Sequence, residues 1–474
     1  MKNGGHYYIV EECIFLQYRT PGMRVVRHFP GVPCSSSNGN NCKLADRHQY
    51  IYDLDDPPPL RLAVTYGVQW VIIVFPALIA AAVLPARVLH FSPAEEVRFL
   101  QLILLSSGFS TLVQCLWGHR YPVVDGPSTA LLLTFLVLAP FGIPVIQAGT
   151  ILGGILLMGT VLVAKPEKIT TLMSPNVVGV ILMLVALTLL PYLSRLMTGA
   201  EAAASGSTQT FVLSMALVLL MATLSYRLKG FFKTIWLLIG MTVGTALFFA
   251  LKHPDVKAIA SAAWFSIPPA IVPSRPEISL PAVIAFAVSY IAVVVNSVGS
   301  IQAIADITNR ERLTRAIPRG LFINGIFGVI CGMMGIIGTV SYSMSPGVVL
   351  SIRVASRFAV AWGGFLLILA ALVPKLAALF ALIPAPVVGA ALCTAMGIQI
   401  GAALSIIAGK GISQRSYYVV GLPVLAGTLI AYLPQDVVNT VPPVFRVFLG
   451  NGLIFGILLV LLLEHVLMRE KQPG

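Results

Sequence analysis

Two stretches decide how this sequence folds: YPVVDGPSTALLL at residues 121–133 and TVSYSMSPGVVLSI at residues 339–352. Each opens with β-prone residues, passes through a break (Gly126–Pro127, Pro346–Gly347) and continues as an apolar run too short to cross a bilayer. The eleven residues 346–356, at about 1.5 Å each in a helix, cover roughly half of a ~30 Å hydrocarbon core. Non-helical backbone at that depth is tolerated only inside protein or beside a water-filled cavity. A half-helix that begins there turns its unpaired N–H groups and positive dipole end toward the cavity. Two such ends facing each other make a polar cradle suited to a carbonyl-rich or anionic solute.

The rest of the chain agrees with a membrane setting. Of 474 residues, 57% are hydrophobic and only 10% are charged, and the mean hydropathy is +0.90. A soluble domain carries about 25% charged residues, so the charges here cannot cover a water-facing surface. The apolar stretches are long and continuous, which excludes the ten-residue alternation of a membrane β-barrel. Runs bounded by charges, Pro and Gly predict an all-α polytopic membrane protein of 14 segments: 62–84, 98–117, 126–139, 143–164, 173–191, 207–226, 233–251, 281–304, 316–337, 346–356, 358–380, 384–406, 416–433 and 444–468. Short β-strands are expected before half-helices 3 and 10. With both termini cytoplasmic, the inside segments hold 23 of the 31 Lys and Arg and the outside loops 8, the bias expected of a multi-pass protein of the inner or plasma membrane. The net charge of +13 is thereby accounted for without nucleic acid.

A second pair of matching stretches, SPNVVG at 174–179 and PAPVVG at 384–389, follows the two breaks at corresponding positions. Segments 1–7 and 8–14 therefore read as two copies of one unit, inverted because seven is odd. Paired interrupted segments in two such halves point to a transporter binding site. Residues 1–60 are polar, lack a signal-peptide core and read as a disordered extension; CSSSNGNNC (34–42) is of low complexity and YDLDDPPPL (52–60) is acidic and proline-rich. The six cysteines and seven histidines form no disulfide framework, metal set or catalytic group within the spans, so neither an enzyme nor a resident metal or cofactor is expected. The pairs Gly149/Gly153 and Gly328/Gly332 permit close helix contact.

Over about residues 50–468 the chain resembles the nucleobase–ascorbate transporter family, which includes uracil and xanthine permeases. The resemblance rests on YDLDDPPPL, the Gln69 start of the first span, the Gly-x-Ser at 126–128, NSVGSIQAIADIT (296–308) and MSPGVVLSIRVASR (344–357). Gly299, Gly347, Arg353 and Arg357 fit the family pattern. Asn296 stands where the family has its substrate-binding glutamate, Ser300 where it has Asp or His, and Met344 where it has Gln or Glu; Ser345, Ile352 and Trp70 replace Asn, Thr and His. The resemblance implies a core domain (61–164 and 281–380), a gate domain (165–280 and 381–468), a homodimer, and elevator-like, proton-coupled uptake of a purine or pyrimidine base such as xanthine or uracil; the charge bias makes residues 469–474 a cytoplasmic tail. A sulfate-type or ascorbate-like anion carrier of the same fold, and a degenerate homologue that does not transport, are the alternatives.

The candidate site follows. Asn296 offers one acceptor and two donors to an amide edge, or else makes a helix–helix hydrogen bond. Ser300 lies at i+4 on the same face. Ser128 and Thr129 open the first half-helix, and Ser343 and Met344 approach from the second break, Met344 either packing on a ring or filling a gap. Gln69 either positions the first span or touches the solute. For proton coupling, Asp125 at the break is the foremost candidate, with an N-cap role as its alternative. Asp306 lies near the cytoplasmic end of segment 8, where pairing with Arg310 or Arg312 is expected, and Glu464 is expected to reach toward water. Gly126, Pro127, Gly299, Pro346, Gly347 and Arg353 form the structural motif.

Overall fold

The computed structural model describes residues 50–163, 173–200, 206–229, 231–251, 259–260, 262–269, 275–409, 411–434, 437, 440 and 450–469. The low-complexity stretch 34–42 lies outside the described residues. The α-helices of eight residues or more, in chain order, are α1 (Leu60–Val88), α2 (Pro93–Leu116), α3 (Thr129–Leu138), α4 (Ile143–Val163), α5 (Pro175–Thr188), α6 (Leu190–Thr198), α7 (Thr208–Arg227) and α8 (Trp236–Leu251). They continue as α9 (Leu280–Ile307), α10 (Leu313–Met334), α11 (Ser345–Ile352), α12 (Arg357–Ala371), α13 (Pro374–Ala381), α14 (Ala385–Gly409), α15 (Gln414–Ala431) and α16 (Gly452–Leu462). Two three-residue strands, β1 (Asp125–Pro127) and β2 (Thr339–Ser341), precede α3 and α11.

Eight helical stretches among the described residues are long and apolar enough to cross a membrane, and a ninth is added if α12 and α13 count as one. That pair is bent by 89° where a straight segment is expected over 358–380. The bend falls at Pro374, which has no N–H to continue the ladder of α12 and instead starts α13. The shorter apolar helices include Thr129–Phe141, at the first break, and Gly452–Leu467.

Local sequence fixes the helix starts. Ser92 caps α2 in a reciprocal box with Glu95, whose Oε2 accepts from the Ser92 backbone N–H at 2.8 Å, and Pro93 occupies the first turn, where its missing N–H costs nothing. Ser174, Ser207 and Ser413 cap α5, α7 and α15, each side chain accepting from the backbone N–H three residues on, and only Ser413 completes a reciprocal box, with Ser416. Gly199 and Gly335 end α6 and α10 in the left-handed conformation.

The helices pack in two groups. In one, α2 lies on α12, α10 on α4, α1 on α12 and α9 on α4. In the other, α14 contacts α5, α6 and α7, while α15 and α16 pack on each other and on α5. Lipid offers no hydrophobic drive between helices, so close van der Waals fit carries much of this packing. The α4–α10 contact shows it: a Cβ on Gly154 would come within 2.7 Å of the Gly325 carbonyl oxygen. The seam between the groups is formed by α3 and α9 meeting α5, and by α1 meeting α14.

Residues 50–56, part of the expected floppy extension, are held against the first group. The N–H of Ile51 donates to the carbonyl of Arg353 (2.8 Å), that of Ala355 to Tyr52 (2.9 Å) and that of Arg357 to Leu54 (3.1 Å). Asp55 bridges two guanidinium groups, those of Arg312 and Arg357.

Candidate functional site

The two breaks meet. β1 and β2 pair antiparallel, with Asp125 opposite Ser341, Gly126 opposite Val340 and Pro127 opposite Thr339. The ladder extends at one end through Tyr342 N–H to Val124 O (2.9 Å) and at the other through Ser128 N–H to Gly338 O (2.9 Å). Gly126 is required by a close approach: a Cβ there would lie 2.5 Å from Cζ and the hydroxyl of Tyr342. That hydroxyl donates to the Pro127 carbonyl at 3.2 Å, so the ring roofs the break.

Behind the strands lies a buried polar network. Asp125 is fully buried and accepts from the hydroxyls of Ser110 (2.6 Å) and Ser341 (2.8 Å). Its own N–H donates to Thr111 Oγ1 at 2.9 Å. No Lys, Arg or His pairs with it among the described residues. Ser341 N–H donates to Ser297 Oγ, which also accepts from Asn324 Nδ2 (2.6 Å), and Gln114 Nε2 donates to Asn324 Oδ1 (2.7 Å). A carboxyl group held by two hydroxyls can accept from both as carboxylate, or donate to one as the neutral acid. The capping role falls to Ser128, whose Oγ accepts from Leu131 N–H at 3.4 Å, and Asp125 does not cap α3.

Beside the start of α3, at the seam between the two helix groups, is a small, partly open pocket. Its polar lining is Ser128 and Thr129 at the start of α3, Asn296 on α9 and Gln399 on α14; Ala130, Ile181, Leu182, Val185 and Ala292 supply the apolar walls. No charged side chain lines it. The N–H groups of Thr129 and Ala130, in the first turn of α3, have no hydrogen-bond partner among the described residues. The side-chain amide of Asn296 likewise makes no hydrogen bond to described protein atoms, so its helix–helix alternative is not what the structure shows. Gln399 gives one N–H to the carbonyl of Leu182 at 2.9 Å.

The pocket thus gathers Ser128, Thr129 and Asn296 from the expected set. Ser300 is buried behind it, its single O–H lying within hydrogen-bonding reach of the carbonyls of Asn296 (2.7 Å) and Ser341 (2.9 Å), and so sits between α9 and β2. Ser343 is exposed, Met344 half-buried at the N-cap of α11, and Gln69 half-buried on α1; all three lie outside the lining. Pro346 is buried in the first turn of α11, while Gly347 and Gly299 are exposed with open space beside them. Arg353 ends α11 in the left-handed conformation, φ 55°. Asp306 is exposed and pairs with Arg310 at 3.4 Å, as its position predicts. Glu464 corrects the expectation that it reaches water: it is buried, paired with Arg415 at 2.8 Å and approached by Asn176 Nδ2 at 3.5 Å.

Sequence reasoning missed Gln399, although it is the one amide side chain in the 25 apolar-rich residues of α14. A polar side chain retained in a span is costly enough to have served as the signal. It also missed the Ser110, Ser341, Ser297, Asn324 and Gln114 network, because those residues are distant in sequence and individually ordinary.

A model of the permease family matches residues 61–436. The chain is 26% identical over 416 residues to the uric acid permease PucK of Bacillus subtilis, covering 86% of this chain and 96% of that protein. It is 28% identical over 343 residues to the uracil permease of Escherichia coli, covering 71% and 76%. Its fold is similar to the transmembrane domain of the cyanobacterial bicarbonate transporter BicA, with a TM-score of 0.51, 12% identity, and coverage of 84% of this chain and 97% of that one.

Proposed function

This chain belongs to the nucleobase–ascorbate transporter family, and from that premise we propose that it is a secondary transporter for a neutral purine or pyrimidine base such as xanthine or uracil. It is a multi-pass membrane permease and not an enzyme. One observation carries the substrate reading: the pocket at the head of α3 is lined by hydroxyls, amides and apolar side chains, with neither acid nor base. An anion would find no counter-charge there beyond the dipole end of a ten-residue helix. A planar base presents alternating N–H and C=O groups that match Asn296, Ser128, Thr129 and the free N–H groups of α3, while Ile181, Leu182 and Val185 cover its apolar faces.

The proposed architecture is 14 segments in two inverted repeats, with both termini cytoplasmic. The first packing group serves as the core, the second as the gate. The pocket's place at their seam supports an elevator-like cycle in which the core carries the solute past the gate, within a homodimer. Asp125 is the proposed proton carrier. Its burial without a cation, hydrogen-bonded to hydroxyls that also hold β2, would make the geometry of both breaks sensitive to its protonation.

The test is binding to the purified protein. Thermal unfolding is measured with uracil, xanthine, hypoxanthine, guanine, urate, ascorbate and sulfate, since a ligand that binds the native state stabilises it by mass action. Stabilisation by one or more bases is expected, and Asn296→Ala should remove it. Stabilisation by sulfate alone overturns the proposal.

A further inference from the structure

We infer that Gln399 is a specificity-determining residue, reading a second amide edge of the solute from the helix group opposite Asn296. The inference deepens the proposed function and rests on it. Asn296 and Gln399 line the same pocket, yet they stand on α9 and α14, which belong to different packing groups. Each carries a primary amide, and each is half-buried. The bond from Gln399 Nε2 to Leu182 O anchors the side chain on its own group and orients it. It uses one of two N–H donors and leaves the amide oxygen without a partner among the described residues. Gln399 therefore keeps a donor and an acceptor, one donor fewer than Asn296 keeps.

A solute seated between two such groups is best satisfied when it has a paired N–H and C=O on two edges. A ring with only one such edge leaves one amide unmatched. Leaving a buried hydrogen-bonding group unpaired is penalised far more heavily than the mean worth of a bond, and this is how polar sites discriminate. The side chains of Ile181, Leu182 and Val185 from α5, which also line the pocket, offer no substitute polar partner. Because the two amides come from different groups, a solute that engages both also bridges the seam.

Xanthine and hypoxanthine separate the cases. Both are planar purines that share the C6 carbonyl and N1–H, but hypoxanthine lacks the C2 carbonyl and the N3–H beside it. At mildly acidic pH, where both are neutral, wild-type protein should bind xanthine more tightly. Gln399→Met keeps the length and volume of the side chain and removes the amide. It should weaken xanthine about tenfold, the equivalent of one lost hydrogen bond at about 1.4 kcal/mol, and leave hypoxanthine unchanged within twofold. Thermal unfolding without ligand monitors folding, and Gln399→Asn gives a second, polar variant that should retain part of the preference. The inference is overturned if Gln399→Met preserves the xanthine-to-hypoxanthine ratio, or if both ligands weaken equally. Asn296→Ala tells the two readings apart. If it abolishes binding while the ratio survives Gln399→Met, the pocket stands and Gln399 has no reading role. If it too leaves binding intact, the proposed pocket fails with it.

Discussion

Replacing Asp125 tests whether this acid carries a proton or holds structure. Its two carboxylate oxygens are occupied separately, Oδ2 by Ser110 and Oδ1 by Ser341. Asparagine keeps the shape, one acceptor oxygen and a donor that either hydroxyl can accept, so Asp125→Asn should change stability by no more than about 1 kcal/mol. Alanine removes both acceptors. Ser110 retains Thr339 Oγ1 at 3.2 Å, but the Ser341 hydroxyl loses its partner, so Asp125→Ala should cost about 1–3 kcal/mol. Function should separate from stability. In proteoliposomes with an inward proton gradient, wild-type protein should accumulate labelled xanthine or uracil above equilibrium. Asp125→Asn should lose accumulation yet still exchange labelled for unlabelled solute, because Asp125 does not line the pocket. Undiminished gradient-driven accumulation by the Asp125→Asn protein would refute the reasoning.

Three further outcomes are expected. Gly126→Ala should destabilise the protein by about 1–3 kcal/mol through the clash with Tyr342, and Tyr342→Ala should relieve much of that cost in a double-mutant cycle of denaturation measurements. The Arg312 guanidinium, with Arg357 beside it, holds the Asp55 carboxyl below the usual carboxylate range. A depressed folded value means that this contribution is present at neutral pH and disappears as pH falls through that value. The amides of Ile51 and Ala355, corrected for intrinsic rates, should therefore gain hydrogen exchange in acid, and Arg312→Gln should give that gain already at neutral pH. Glu464→Ala should lower stability by about 1–3 kcal/mol in denaturation by removing the acid that pairs with the half-buried Arg415 guanidinium, whereas Arg415→Met with Glu464→Leu should recover most of the loss.

Much of this molecule was decided locally. The apolar runs, the serine caps before α5, α7 and α15, and the Gly-Pro and Pro-Gly breaks follow from chain chemistry that needs no distant partner, since a helix in lipid satisfies its backbone within itself. Asp306 is likewise legible, because an acid one turn before an arginine at a helix end pairs at i+4. Three of the expected pocket residues, Ser128, Thr129 and Asn296, come together because two sit at the break and the third on the span that packs against α3. What sequence could not supply are contacts across long separations. The partners of Asp125 come from positions 110 and 341, Gln399 enters the pocket from α14, and Glu464 turns inward to Arg415. The pairing of those groups depends on which helix faces which, and helix facing is set by packing in three dimensions, whereas the period of the sequence records only that a side chain is apolar or polar.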